Sequence, residues 1–129
     1  MIGVWSQHAE IFLLALGVGT ALLFSLPISF APLRWARLVG WSVAQDDALA
    51  LYFGRCLGAF ALILNFFMLR AGFSGAHLTA TFEFMALVWA AMIVVHVVGA
   101  LQGVQPILET LEIIFWIALA GLTALFWPS

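Results

Sequence analysis

The chain holds 129 residues, of which 66% are hydrophobic, 15% aromatic and only 8% charged. A soluble domain carries about 25% charged residues. Four arginines, six acids and no lysine cannot cover a water-facing surface. Soluble enzymes, nucleic-acid binders and disordered proteins are excluded, which leaves an integral membrane protein.

In chain order, the opening MIGVWSQHAE has no positive n-region, and the apolar run after it exceeds a signal h-region. That run is expected to stay in the protein. Spanning hydrocarbon takes about 20 mostly apolar helical residues. The first candidate covers residues 11–33, free of charge but holding Pro27 and Pro32, so its last part is expected to kink or leave the membrane early. The second, 48–69, carries Arg55 and Asn65. The third, 79–101, has Glu83 in its first turn and His96 well inside. The fourth, 106–127, opens at Pro106 and carries Glu109 and Glu112. The expected fold is all-α: one domain, a bundle of four transmembrane helices.

The links set the arrangement. Residues 72–75 and 102–105 are expected as short turns, which force antiparallel neighbours. Residues 34–47 mix arginines with Trp35, Leu38, Val39 and Trp41, a composition suited to the headgroup region. Trp5, Trp35, Trp41 and Trp127 fall at span ends, as an aromatic belt requires. Arg34 and Arg37 on the first link outweigh Arg70 on the opposite side, which places the first and third links in the cytoplasm and both termini outside. Gly54 with Gly58, Gly99 with Gly103, and Ala120 with Ala124 are expected to let helices approach closely. Cys56, the single cysteine, allows no internal disulfide and is expected to be an inert, buried thiol.

In so apolar a chain, ionisable groups inside spans are the informative residues, because each costs at least ~2.5 kcal/mol in hydrocarbon without a partner. Counting 1.5 Å per residue places Arg55, His96 and Glu112 roughly 8–10 Å from one membrane face, with Glu109 a turn shallower. Gln102 and Gln105 sit just above them. Gln105, Glu109, Glu112 and Trp116 are spaced four, three and four apart, and so form one helical stripe. His96 shares a stripe with Gly99 and Gly103, and Arg55 shares one with Gly58 and Ala59. Two readings fit this cluster. Either Arg55 pairs with Glu112 or Glu109 to lock the helices, or the group is a site for an anionic headgroup, a quinone or a proton.

A second polar set, His8, Glu10, Asn65, Arg70, His77 and Glu83, is expected at water-reached span ends on the opposite side. Its spacing matches no metal-ligand motif, so no metal is expected. Phosphate-loop, Gly-x-Ser-x-Gly and His-Glu-x-x-His patterns are missing from the sequence, and no two mid-span histidines are present to hold haem.

The stretch YFGRCLGAFALILNFFMLR, residues 52–70, resembles the Gly-Arg-x-x-Gly helix opening of DoxX-like small four-helix bacterial membrane proteins. That resemblance implies an accessory subunit of a redox assembly. Size and helix number also resemble the small multidrug resistance transporters, whose defining glutamate lies midway along the first helix. Here Glu10 sits at the helix edge, and residues 11–33 carry no charge. No functional residue carries over from either family.

The expected function is a small accessory or assembly subunit docking on a larger complex in the bacterial inner membrane. Its expected partners are the lipid bilayer and a membrane protein or second copy, not nucleic acid; no cofactor is defined. The alternative is a small enzyme or binder for a lipid or quinone, with His96 as proton carrier, Glu112 as its partner and Arg55 as anchor. A third reading is a dimeric, proton-coupled transporter using Glu10 or Glu112.

Overall fold

The computed structural model describes residues 2–128, and their regular structure is helical throughout. The long helices are α1 (Ser6–Phe30), α3 (Ala48–Ser74), α4 (Leu78–Gln102) and α5 (Ile107–Leu125), each long and apolar enough to cross a membrane. A short helix, α2 (Pro32–Leu38), follows α1. At 1.5 Å per residue the shortest span, α5 with 19 residues, measures roughly 28 Å, about one hydrocarbon thickness.

Burial supports the membrane setting. Phe60 is 72% exposed, Phe73 79% and Leu101 83%, and exposed aliphatic and aromatic side chains continue around all four spans. Water does not tolerate apolar patches of that extent. Lipid does.

The proline expectation is met in a specific way. Pro27 has no N–H, and its ring crowds the carbonyl four residues earlier. Immediately before it, Ala21–Ser25 widens into a π-helical turn, which makes room for the ring. The helix resumes over Leu26–Phe30, breaks at Ala31 (φ −137°, ψ 54°), and Pro32 opens α2.

Several boundaries differ from expectation. The second span runs on to Ser74, so Gly72 is helical and the turn shrinks to residues 75–77. Gly75 caps α3 at φ 66°, a left-handed conformation that glycine adopts without steric penalty. The last helix starts at Ile107, with Pro106 just outside it, and ends at Leu125. Asp47 caps α3 by accepting from the Ala50 N–H at 2.8 Å.

The bundle is two helix pairs, α1 on α3 and α4 on α5. Small residues on α3 set the first pair. A Cβ at Gly72 would fall 2.8 Å from Leu14 Cγ, and one at Gly58 would fall 2.6 Å from the backbone nitrogen of Ser29. Gly54 lies against Pro32. Gly103, by contrast, serves no close approach: a Cβ there meets nothing within 4 Å among the described residues. It terminates α4 instead, at φ 63°. Cys56 is a free thiol and only partly buried.

The core joins both pairs through Leu13, Met68, Phe82, Met85, Trp89 and Leu119, with Phe12 and Trp127 packed against it. Near the termini, the Gly3 and Trp5 N–H groups donate to the Ala124 and Leu125 carbonyls at 2.9 Å each. These bonds tie the N-terminal segment to carbonyls in the last turn of α5.

Candidate intramembrane polar site

The site forms where the end of α4 meets the start of α5. Helix α4 stops in a Schellman turn: the Val104 N–H donates to Gly99 O at 3.2 Å, and the Gly103 N–H donates to Ala100 O at 3.1 Å. So tight a reversal fixes the relative depth of the two helices. Gly99 has no side chain, and the Gln105 amide lies in the space this leaves. From there Gln105 Nε2 donates to His96 O and to Thr110 Oγ1, both at 3.0 Å.

His96 is 4% exposed. Its Nδ1 faces the Met92 carbonyl oxygen at 2.7 Å. A carbonyl only accepts, so Nδ1 carries the hydrogen and donates it. Its Nε2 faces Glu109 Oε2 at 3.1 Å and Glu112 Oε2 at 3.5 Å. With Nδ1 protonated, a neutral ring turns a lone pair toward two carboxylates. Three acceptors converging at that distance suit a proton or a metal cation between them.

Glu109 is tied down a second time, by Trp41 Nε1 donating to its Oε1 at 2.8 Å. Trp116, one turn beyond Glu112, has its ring 5.8 Å from the His96 ring, and its buried Nε1 has no hydrogen-bond partner among the described residues. The two carboxylate side chains keep 19% and 25% exposure, so the group is not sealed inside the bundle.

Of the expected cluster, His96, Gln105, Glu109 and Glu112 come together, whereas Arg55 and Gln102 do not. Both are exposed, and Arg55 makes no ion pair among the described residues. The Arg55–Glu112 or Arg55–Glu109 lock is therefore corrected. The cause is the face of α3 that packs: Gly54 and Gly58 turn toward Pro32 and Ser29. Arg55 is about 100° around the helix from Gly54, and Ala59, assigned to its stripe, is exposed as well.

Asn65 requires a second correction. It is 4% exposed and lies inside the bundle rather than at a watery end. Its Nδ2 donates to Gly17 O at 3.1 Å and to Thr20 Oγ1 at 2.7 Å, and its Oδ1 accepts from Ser25 Oγ. The remaining members of that set, His8, Glu10, Arg70, His77 and Glu83, are all exposed. Beside the α3–α4 turn, Arg70 and His77 line a groove of about 470 Å³ together with Phe67, Ala80 and Phe84.

Sequence reasoning missed Trp41 as a member of the site. It was assigned to the aromatic belt, and no local pattern links it to Glu109, 68 residues away. Trp41→Phe should free the link between α2 and α3 at a cost of about 1 kcal/mol, the worth of one exposed hydrogen bond. Hydrogen exchange should then quicken over residues 39–46 alone; unchanged protection there would mean that the bond does not hold the link.

Comparison with family models, with curated proteins and with solved structures finds no match.

Proposed function

We propose that the chain is an accessory subunit of a larger membrane assembly and docks through the outer face of α3. One observation carries this reading. Arg55 lies seven residues inside α3, exposed, with no ion pair among the described residues. An arginine in hydrocarbon costs about 2.5–3.5 kcal/mol on insertion scales, and intramembrane charges are normally paired. Tyr52, Phe53 and Phe60 flank it with exposed aromatic surface. The chemistry fits a partner helix that carries a carboxylate at the same depth. The setting is the inner membrane of a bacterium, with the Arg34 and Arg37 link in the cytoplasm by the arginine count.

Native mass spectrometry of the full chain, extracted in mild detergent, tests this. The wild type should carry a stoichiometric protein partner, Arg55→Lys should keep it, and Arg55→Leu should lose it while remaining folded. A wild-type chain that emerges alone, or an Arg55→Leu chain that keeps the partner, overturns the reading.

A second reading, a site for a quinone or lipid at the same leaflet, is favoured by the His96 group. Without Arg55 that group is acidic, so it suits a proton-accepting carbonyl compound rather than an anionic headgroup. His96 would exchange the proton, with Glu109 and Glu112 holding the imidazole in place.

A further inference from the structure

We propose that His96, Glu109 and Glu112 form a binding site for a first-row divalent cation of the zinc class. The site would take one nitrogen and two carboxylate oxygens as ligands.

Geometry is the first support. A tetrahedral zinc ion bound at about 2.0–2.1 Å needs ligand atoms roughly 3.3 Å apart. His96 Nε2 lies 3.1 Å from Glu109 Oε2 and 3.5 Å from Glu112 Oε2. Each of the three residues offers an atom within 4.8 Å of the others, so a modest rotation of one carboxylate closes the triangle.

The surroundings of the ligands are the second support. Metal-binding imidazoles almost always give their other N–H to a carboxylate, carbonyl or water, which fixes the tautomer. His96 Nδ1 does this with the Met92 carbonyl at 2.7 Å. Glu109 is oriented in the same way by the Trp41 indole N–H at 2.8 Å. Three protein ligands leave a fourth position for water, as in catalytic rather than structural zinc sites. Trp116 Nε1, on a ring packed against His96, is a donor without a partner among the described residues.

Charge balance is the third. With a neutral imidazole the group carries two negative charges, which are costly at the edge of a low-dielectric bundle. One proton cancels half of this and bridges only one of the two His–Glu contacts. A divalent cation cancels it fully and serves both contacts. The partly exposed carboxylates provide the way in.

The sequence brings these three residues to one depth, but ligands split between two helices match no metal-binding spacing. Glu109 and Glu112 are an i, i+3 pair on α5, and His96 reaches them only through the turn at Gly103.

The test uses the full chain in detergent, stripped by chelator, with zinc added in isothermal titrations in two buffers of different ionisation enthalpy. Binding of one zinc per chain is expected, with release of the proton that the ligands held. His96→Gln and Glu112→Gln should weaken binding by more than about 100-fold, since loss of a mere orienting partner already costs about 10–100-fold. Glu10→Gln, at the other end of the bundle, should bind as the wild type does. Should His96→Gln fail to fold, His96→Cys keeps a ligand atom, and loading it with cobalt should add a thiolate-to-cobalt absorption band that the wild type lacks. A folded wild type that binds no stoichiometric zinc overturns the site. So does zinc affinity unchanged in the glutamine variants, or a cobalt-loaded His96→Cys chain without the new band.

Discussion

Gly58→Ala should drive α1 and α3 apart and cost about 2 kcal/mol, within the ~1–3 kcal/mol typical of overpacking. The effect is large for one methyl group because of what it would strike. The added Cβ would sit 2.6 Å from the Ser29 nitrogen and 2.7 Å from Ser29 Cα. A flexible side chain could swing aside, but backbone cannot. Relief therefore requires the helices to separate along the seam that glycines keep close, and in lipid that seam supplies much of the attraction. Gly121→Ala is the matched control. Nothing lies within 4 Å of a Cβ there, and alanine in a helix gains about 0.5–1 kcal/mol over glycine. Reversible unfolding in mixed micelles should show the two substitutions moving stability in opposite directions. Equal effects would mean that the α1–α3 contact does not depend on Gly58.

The spans were legible because hydropathy over about 20 residues reports directly on what lipid accepts. Facing and depth were harder, for identifiable reasons. Asn65 was misplaced through counting: in a span ending at residue 69 it stands four residues from the end, but α3 continues to Ser74 and leaves it nine residues inside. The extension crosses Gly72, which reads as a turn signal but serves packing, since its bare backbone admits Leu14. Arg55 was misassigned because Gly58 and Ala59 both border its stripe, and only Gly58 is buried. His96 and the two glutamates were easier to place together. A turn as short as residues 103–106 leaves little freedom in relative depth, and an i, i+3 pair must share a face. The π turn before Pro27 illustrates the remaining gap. Proline announces a distortion, but which carbonyls are left for other donors depends on the helix alongside.

That last dependence yields a measurable consequence. Asn65→Ala should destabilise the chain by about 2 kcal/mol, because buried donors and acceptors left without partners cost about 1–3 kcal/mol each. Asn65 uses its whole amide. Nδ2 serves Gly17 O and Thr20 Oγ1, and Oδ1 receives Ser25 Oγ, so three points on α1 are held from α3. All three flank or lie within the stretch that ends in the π turn, Ala21–Ser25. Thr20 and Ser29 bond back to their own helix, to Leu16 O and Ser25 O at 2.7 Å each, and neither can replace the amide without abandoning that bond. The widened turn is thus braced from outside α1, by an amide on α3 whose partners are Gly17, Thr20 and Ser25. Polar contacts between membrane helices average about 0.6 kcal/mol and reach about 1.7 kcal/mol, because the dissociated helices find other partners. The Asn65–Ser25 pair should lie toward the upper figure, since Ser25 is 2% exposed and Asn65 4%. A double-mutant cycle of Asn65→Ala with Ser25→Ala measures that coupling directly. Coupling near zero, with Asn65→Ala no worse than the lipid-facing Phe60→Ala, would show that α1 holds its π turn unaided and that the amide only fills space.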